Sequence, residues 1–171
     1  GTSGTITTVV GSAAKYVVSS SNNSPLAGST VTITAQLADA NSNAVSTAGK
    51  VVTWSKTGAG GSFGATTSTT NASGVATVSF TVGSVVGTTY AVTATDNTTL
   101  TGTSPSITIV SGLPTQYLVM VSRTSPIAGD TITVWAQLAD AGNSPIRTPG
   151  KVVRWSKTGT GRRAVVARAS G

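Results

Sequence analysis

Residues 27–45 read AGSTVTITAQLADANSNAV, and residues 49–60 read GKVVTWSKTGAG. From Thr30 to Leu37 a polar residue and an apolar one alternate without a break. Successive side chains of a strand point to opposite faces. Val31, Ile33, Ala35 and Leu37 therefore share one face, and Thr30, Thr32, Thr34 and Gln36 share the other. This is the pattern of a strand with one buried face. Val51 to Lys56 forms a shorter strand with Val52 and Trp54 inward. Asn41 to Asn43 between the two runs supply turn chemistry.

The same reading extends in both directions. Val75 to Val82 places Ala76, Val78, Phe80 and Val82 inward, and Thr89 to Thr95 places Tyr90, Val92 and Ala94 inward. Tyr16 to Ser19, Thr66 to Thr70 and Ser106 to Val110 are flanking strands. Pro25 with Gly28, Gly58 to Gly61, Asn71 with Gly74, and Gly83 with Gly87 punctuate the runs. No segment has a 3.6-residue period. Short strands separated by turns in this way predict an all-β fold, an immunoglobulin-like β-sandwich with Greek-key connections. Trp54 then occupies the central tryptophan position of the third strand, and Tyr90 the tyrosine corner.

The pattern occurs twice. Tyr16 to Gly60 aligns without a gap on Tyr117 to Gly161, and 26 of the 45 positions are identical, which makes the two stretches copies of one unit. A period near 100 residues suits a whole sandwich rather than a solenoid unit. Ile6 to Val9 (ITTV) also matches Ile107 to Val110 (ITIV), so Thr2 to Val10 reads as the last strand of an earlier copy. The match stops after Gly161, where RRAVVARASG replaces GSFGATTSTT. The expected organisation is a final strand plus linker at 1–11, a complete domain at 12–111, an incomplete second repeat at 112–161 and a non-homologous basic tail at 162–171. Beginning at Gly1 without methionine or signal peptide, the chain reads as a mature product or a piece of something longer.

Composition narrows the chemistry. Only 9% of residues are charged, against about 25% in an ordinary domain. There is no cysteine, histidine or glutamate, and the carboxylate side chains are Asp39, Asp96, Asp130 and Asp140. A Ser-His-Asp triad and a His- or Cys-ligated metal are thereby excluded, and acid–base chemistry has few residues to use. The net charge of +7 is uneven, with +1 over residues 1–111 and +6 over 112–171. Repeats that bound nucleic acid would share a basic face, and the first copy has none, so no nucleic-acid partner is expected. No apolar run reaches membrane-spanning length, so no membrane insertion is expected.

The stretches AGSTVTITAQLADANSNAV, GKVVTWS, TTNASGVATVSF and GTTYAVTATD carry a resemblance. Together they resemble the group 1 bacterial immunoglobulin-like domains of invasin- and intimin-type adhesins, which also occur in other bacterial surface proteins and in phage virion proteins. The resemblance covers nearly all of residues 14–110 and the first half of the second copy. It implies a non-enzymatic, extracellular spacer or stalk, with neighbouring repeats of the same kind as partners and a host-surface protein or glycan as a further one. The alternatives are a decoration or tail domain of a phage virion protein, or an accessory carbohydrate-binding module of a larger secreted protein.

Three features are candidate sites. Asp39 and Asp96 end the second and sixth strands with Asn41, Asn43 and Asn97 nearby, an oxygen-rich set suited to Ca²⁺, unless these residues simply make turns. Trp135 takes the outward position of Thr34 and is a candidate ligand contact, unless it packs on a neighbouring domain or the tail. Arg154, Arg162 and Arg163 are candidate partner contacts, and Arg162, Arg163 and Arg168 suit anionic glycan or lipid, unless the tail is non-native or merely solvated. The incomplete repeat has three strands' worth of sequence. Val134, Ala136, Leu138, Val153 and Trp155 would meet water, so either another chain supplies the missing strands in a strand-sharing oligomer or this copy is loosely ordered.

Overall fold

The computed structural model describes residues 1–158 apart from Ser3 and Ile6. The chain divides into two units, Gly1–Val110 and Ser111–Gly171.

The first unit contains ten strands: β1 (Lys15–Ser20), β2 (Thr30–Ala38), β3 (Val51–Lys56), β4 (Ser62–Phe63), β5 (Thr67–Thr69), β6 (Val75–Thr81), β7 (Thr89–Tyr90), β8 (Val92–Asp96), β9 (Thr101–Thr103) and β10 (Ile107–Thr108). One sheet has the order β1-β2-β6-β4, the other β5-β3-β8-β9, and β10 pairs with β7 in a short ladder. Every named ladder is antiparallel. From β2 to β6 each strand lies in the sheet opposite to its predecessor, so the inner faces of both sheets close over one core. Val31, Ile33, Ala35 and Leu37 on β2 meet Ala76, Val78 and Phe80 on β6 and Val52 and Trp54 on β3 within that core. The inward alternation read from the sequence is realised residue for residue.

The bulky positions are matched to small or polar partners. Trp54 lies opposite Ala94 in the β3–β8 ladder, and its indole N–H donates to Ser68 Oγ at 2.9 Å, so the one polar atom of the ring is satisfied. Tyr90 packs edge-on against Phe80 at 5.1 Å between ring centroids. Its hydroxyl accepts the N–H of Gly83 at 3.1 Å and donates to the carbonyl of Ala59 at 2.9 Å. The bond back to Gly83, seven residues upstream, is the contact of a tyrosine corner.

Two strands escaped the pattern reading, β4 and β9. β9 reads Thr-Gly-Thr, with no apolar residue to mark an inward face. Its middle position faces the backbone of β1: a Cβ built on Gly102 would overlap the carbonyl of Tyr16. The absent side chain is what lets the edge of one sheet approach the other.

The second unit has two strands among its described residues, β11 (Gln116–Val121) and β12 (Val134–Ala139), paired antiparallel with Met120 opposite Trp135. The third strand expected of this copy is not formed, and residues 151–158 carry none. In the first unit the corresponding β3 is held between β5 and β8. The second unit supplies neither partner among its described residues. Val134, Ala136, Leu138, Val153 and Trp155 are half-buried rather than open to water. The described residues of 1–14 form no strand, and Ile6 of the ITTV segment lies outside the description.

Gly102→Ala is expected to destabilise the first unit by about 1–3 kcal/mol, the usual cost of forcing atoms into a filled space. Where the space exists, the same change raises stability by restricting the unfolded chain. The sign of the shift in urea midpoint therefore decides, and a rise would refute the close approach.

Candidate functional site

Three of the four aspartates and one asparagine build a single recurrent loop. Asp39 closes a hairpin in which its N–H donates to the carbonyl of Asn43 at 2.9 Å and the N–H of Ser42 donates to the carbonyl of Asp39 at 3.0 Å. Ser42 sits at φ 70°. Asp39 Oδ1 accepts the N–H groups of Asn41 and Asn43 at 3.0 and 2.8 Å. Asn71 repeats the geometry with Gly74 at φ 73° and Oδ1 accepting from Ser73 and Val75. Asp96 repeats it with Thr99 at φ 68° and Oδ1 accepting from Thr98 and Leu100. In the second unit Asp140 does so with Asn143 at φ 64° and Oδ1 accepting from Gly142 and Ser144. Each loop has three residues and ends in a left-handed one, a common way to join antiparallel strands. The side-chain oxygen satisfies two N–H groups that the ladder leaves unpaired.

The second oxygen distinguishes aspartate from asparagine here. Asp39 Oδ2 accepts the N–H of Gly11 and the side-chain amide of Asn43, both at 3.0 Å. Asp140 Oδ2 accepts the N–H of Gly112 at 2.8 Å. Asp96 Oδ2 accepts the Tyr16 hydroxyl at 3.2 Å and faces Lys50 Nζ at 3.7 Å. These donors set the proton affinities. The side-chain amide of Asn43, followed by the N–H groups of Asn43, Gly11 and Asn41, holds Asp39 below its ordinary value. The N–H groups of Gly112 and Ser144 do the same for Asp140. Burial works against the charge of Asp96, but Thr98, Leu100 and Lys50 outweigh it. The Tyr16 hydroxyl is pushed up to about 12 by burial and by the negative Asp96 beside it.

As calcium ligands, Asp39 and Asp96 offer little free capacity. Their oxygens face N–H and O–H donors, whose positive ends a cation would have to displace, and the two carboxylates share no hydrogen-bond partner. Calcium takes six to eight oxygens. Among the described residues no group of three acidic or other metal-ligating side chains converges. Turn formation accounts for the Oδ1 contacts, whereas the bonds from Gly11 and Tyr16 to the Oδ2 atoms reach outside the turns. The role of Asp140, and the tie from Asp39 and Asp140 to a preceding glycine, were not read from the sequence. The signal was present, since Gly11 and Gly112 keep the same separation from their aspartates in both copies.

Trp135 lies on the outward face of β12 beside Met120 and is 36% exposed. Arg154 is exposed and outside any strand, and no hydrogen bond, ion pair or ring contact joins it to Trp135. Arg162, Arg163 and Arg168 lie outside the described residues. The other face of the β11–β12 pair is more informative. Tyr117 and Val119 are 39% and 60% exposed, while their counterparts Tyr16 and Val18 in the complete copy are 3% and 5% exposed. That face, with Leu138, Ile146 and Val153, lines an open groove of about 250 Å³. The described residues thus offer hydrogen-bond acceptance within turns and apolar contact on an open sheet face.

No family model matches the sequence, and no curated protein does. Similar solved structures include the adhesin FdeC of Escherichia coli, at 22% identity over 77% of this chain and 42% of that one, with a TM-score of 0.51. They include a glycosyl hydrolase family 2 member from Bacteroides cellulosilyticus DSM 14838, at 19% identity over 58% of this chain and 15% of that one, with a TM-score of 0.50. The D0-D1 domain of intimin aligns at 21% identity over 76% of this chain and 67% of that one, with a TM-score of 0.48. The first two likenesses establish the fold, an immunoglobulin-like β-sandwich. The chain spans less than half the length of either of those two proteins.

The lowered acidities of Asp39, Asp96 and Asp140 give a pH dependence with a fixed sign. In the unfolded chain these groups titrate near 3.8, and in the fold they titrate lower. Their contribution is complete above about pH 5 and falls away as pH drops through 3.8 and then through the native values. Tyr16 acts oppositely: its contribution holds below 10.0 and disappears between 10.0 and about 12. Urea midpoints across both ranges are expected to fall at each end, and a flat profile below about pH 5 would remove the structural role of the carboxylates.

Proposed function

We propose that this chain is a non-enzymatic spacer, a run of tandem immunoglobulin-like repeats in the stalk of an extracellular bacterial surface adhesin. The observation that carries the reading is the repetition of one sandwich sequence at a fixed period, with 26 identical residues in 45. Under this reading residues 12–111 are one repeat, 112–161 begin the next, and 1–11 end an earlier one. Two things support it. The fold is shared with the adhesin FdeC. The carboxylates Asp39, Asp96 and Asp140 are spent on closing hairpins and anchoring the backbone. A sandwich of this fold also sits within a glycosyl hydrolase chain, so the spacer reading concerns these residues and not a whole parent protein.

A spacer has to carry tension between its ends. In the complete repeat the N–H groups of Thr108 and Val110 donate to the carbonyls of Asn23 and Pro25 at 2.9 Å, and Leu26 bridges Val110 in parallel. Tension drawn through the repeat pulls these two parallel segments in opposite directions along their common axis. The bonds then share the load instead of opening one after another. If the chain is a spacer, the purified protein should show no saturable binding on glycan arrays or host-cell surfaces, and Trp135→Ala should behave identically. Saturable binding lost in Trp135→Ala would move the chain to the carbohydrate-binding modules.

A second reading, that the incomplete copy takes strands from another chain carrying the same repeat, is favoured by the open face at Tyr117 and Val119. In the complete copy β2 pairs with β1 on one side and β6 on the other, whereas among the described strands β12 pairs with β11 alone. An edge of this kind accepts an added strand. Sedimentation velocity is expected to show association that grows with concentration and is lost in Val119→Lys. A monomer at every concentration would refute strand sharing and leave the spacer reading standing.

A further inference from the structure

We propose that Asp39 and Asp140 are junction clasps, which fasten the segment entering each repeat to that repeat's own body and so stiffen the array. Within the first unit Gly11 N–H donates to Asp39 Oδ2 at 3.0 Å, and within the second Gly112 N–H donates to Asp140 Oδ2 at 2.8 Å. Both bonds span 28 residues, although the loops that present the aspartates differ, Ala-Asn-Ser-Asn in one and Ala-Gly-Asn-Ser in the other. The fit is close in both copies. A Cβ on Gly11 would lie 3.2 Å from Asp39 Oδ2 and 3.3 Å from its Cβ, and a Cβ on Gly112 would lie 3.3 and 3.2 Å from the same atoms of Asp140. A glycine amide can approach the carboxylate there without crowding it.

The clasp shortens the free junction. Four residues, Gly112 to Thr115, separate the start of the second repeat from β11. Val110 N–H, however, is bonded to Pro25 O in the first unit, and Gly112 N–H to Asp140 in the second, which leaves Ser111 alone between two anchored residues. Thr115 N–H is anchored in turn to Ala139 O at 3.0 Å. A junction of one residue has far fewer conformations than one of four.

Asn71 separates the clasp from the turn. It closes the same three-residue loop with Oδ1 alone, and asparagine therefore supports the hairpin. Asp140→Asn should keep the Oδ1 contacts to Gly142 and Ser144 and set an NH₂ against the Gly112 N–H. Only the clasp is lost.

The test is amide hydrogen exchange and ¹⁵N relaxation on the full chain. In Asp140→Asn, Gly112 exchange is expected to rise about tenfold or more, the scale of losing a hydrogen bond to a charged acceptor, while Gly142 and Ser144 stay protected. The relaxation rates of the two units should also separate, as expected for bodies that tumble more independently. Unchanged Gly112 exchange would overturn the clasp itself. Faster exchange with unchanged tumbling would overturn its stiffening role, which rests on the spacer reading, and would leave ligand-binding tests of that reading unaffected. If Asp140→Asn also loses its hairpin, Asp39→Asn with Gly11 as reporter decides by the same criteria, because that loop sits on a completed core.

Discussion

A strand with one apolar face is stable in water only when something covers that face. In the first unit Val31, Ile33, Ala35 and Leu37 are covered from the opposite sheet by Val52, Trp54 and Val92, with Tyr90 of the short β7–β10 ladder in the same core, and β6 completes their own sheet. Burial of such a face contributes roughly 25 cal/mol per Å² of apolar area. It also fixes the register, because a slip by one residue would turn every one of these side chains outward. The second unit has the same β2-like and β1-like sequences but no described counterpart of β6 or β8. Its β12 is shorter than β2, residues 151–158 form no third strand and its inward face stays partly open. Two closely similar segments thus reach different outcomes because a strand's stability lies mostly in its neighbours.

The polar side of the design follows from the scarcity of charge. A chain with so few carboxylates uses three of the four as acceptors for backbone N–H groups at hairpin ends. Such groups would otherwise be unpaired at the margin of the sandwich, at a cost of about 1–3 kcal/mol each when buried. Among the described residues no buried side-chain nitrogen or oxygen lacks a partner. The remaining aspartate, Asp130, pairs with Arg123 at 2.6 Å and accepts the Ile127 N–H at 3.0 Å. Because that pair is largely exposed, it contributes little to stability.

How much of this was legible depended on the range of the contact. Alternation is a local property, so β2, β3, β6 and β8 and their buried sets were readable from Val31, Trp54, Phe80 and Val92 outward. Turn chemistry is local as well, and the Asx loops could be placed, though not their left-handed fourth residues Ser42 and Thr99, where the sequence offers no glycine. Gly102 was unreadable because its reason is the backbone of Tyr16, on another strand. The same holds for the second oxygens of Asp39 and Asp140, whose donors lie 28 residues upstream. An oxygen-rich turn does not reveal, in sequence, the N–H groups that face its oxygens in the fold. Trp135 was correctly placed as outward, yet its surroundings include Met120 across the ladder, which alternation alone does not reveal as a shared exposed patch.

The choice between aspartate and asparagine sets how far a hairpin loop reaches into the rest of the fold. Both side chains cap the loop through one oxygen, and Asn71 does only that. An aspartate has a second acceptor of equal strength on the far side of the same carboxylate, and its charge strengthens both bonds. At 39 and 140 that second acceptor reaches the chain just before the repeat; at 96 it reaches Tyr16 on the edge strand of the other sheet. In each case a local turn is tied to a distant segment without adding a residue to the core. A sandwich closed in this way ties its loops to its own entry segment, since Asp39 and Asp140 each hold a glycine 28 residues upstream.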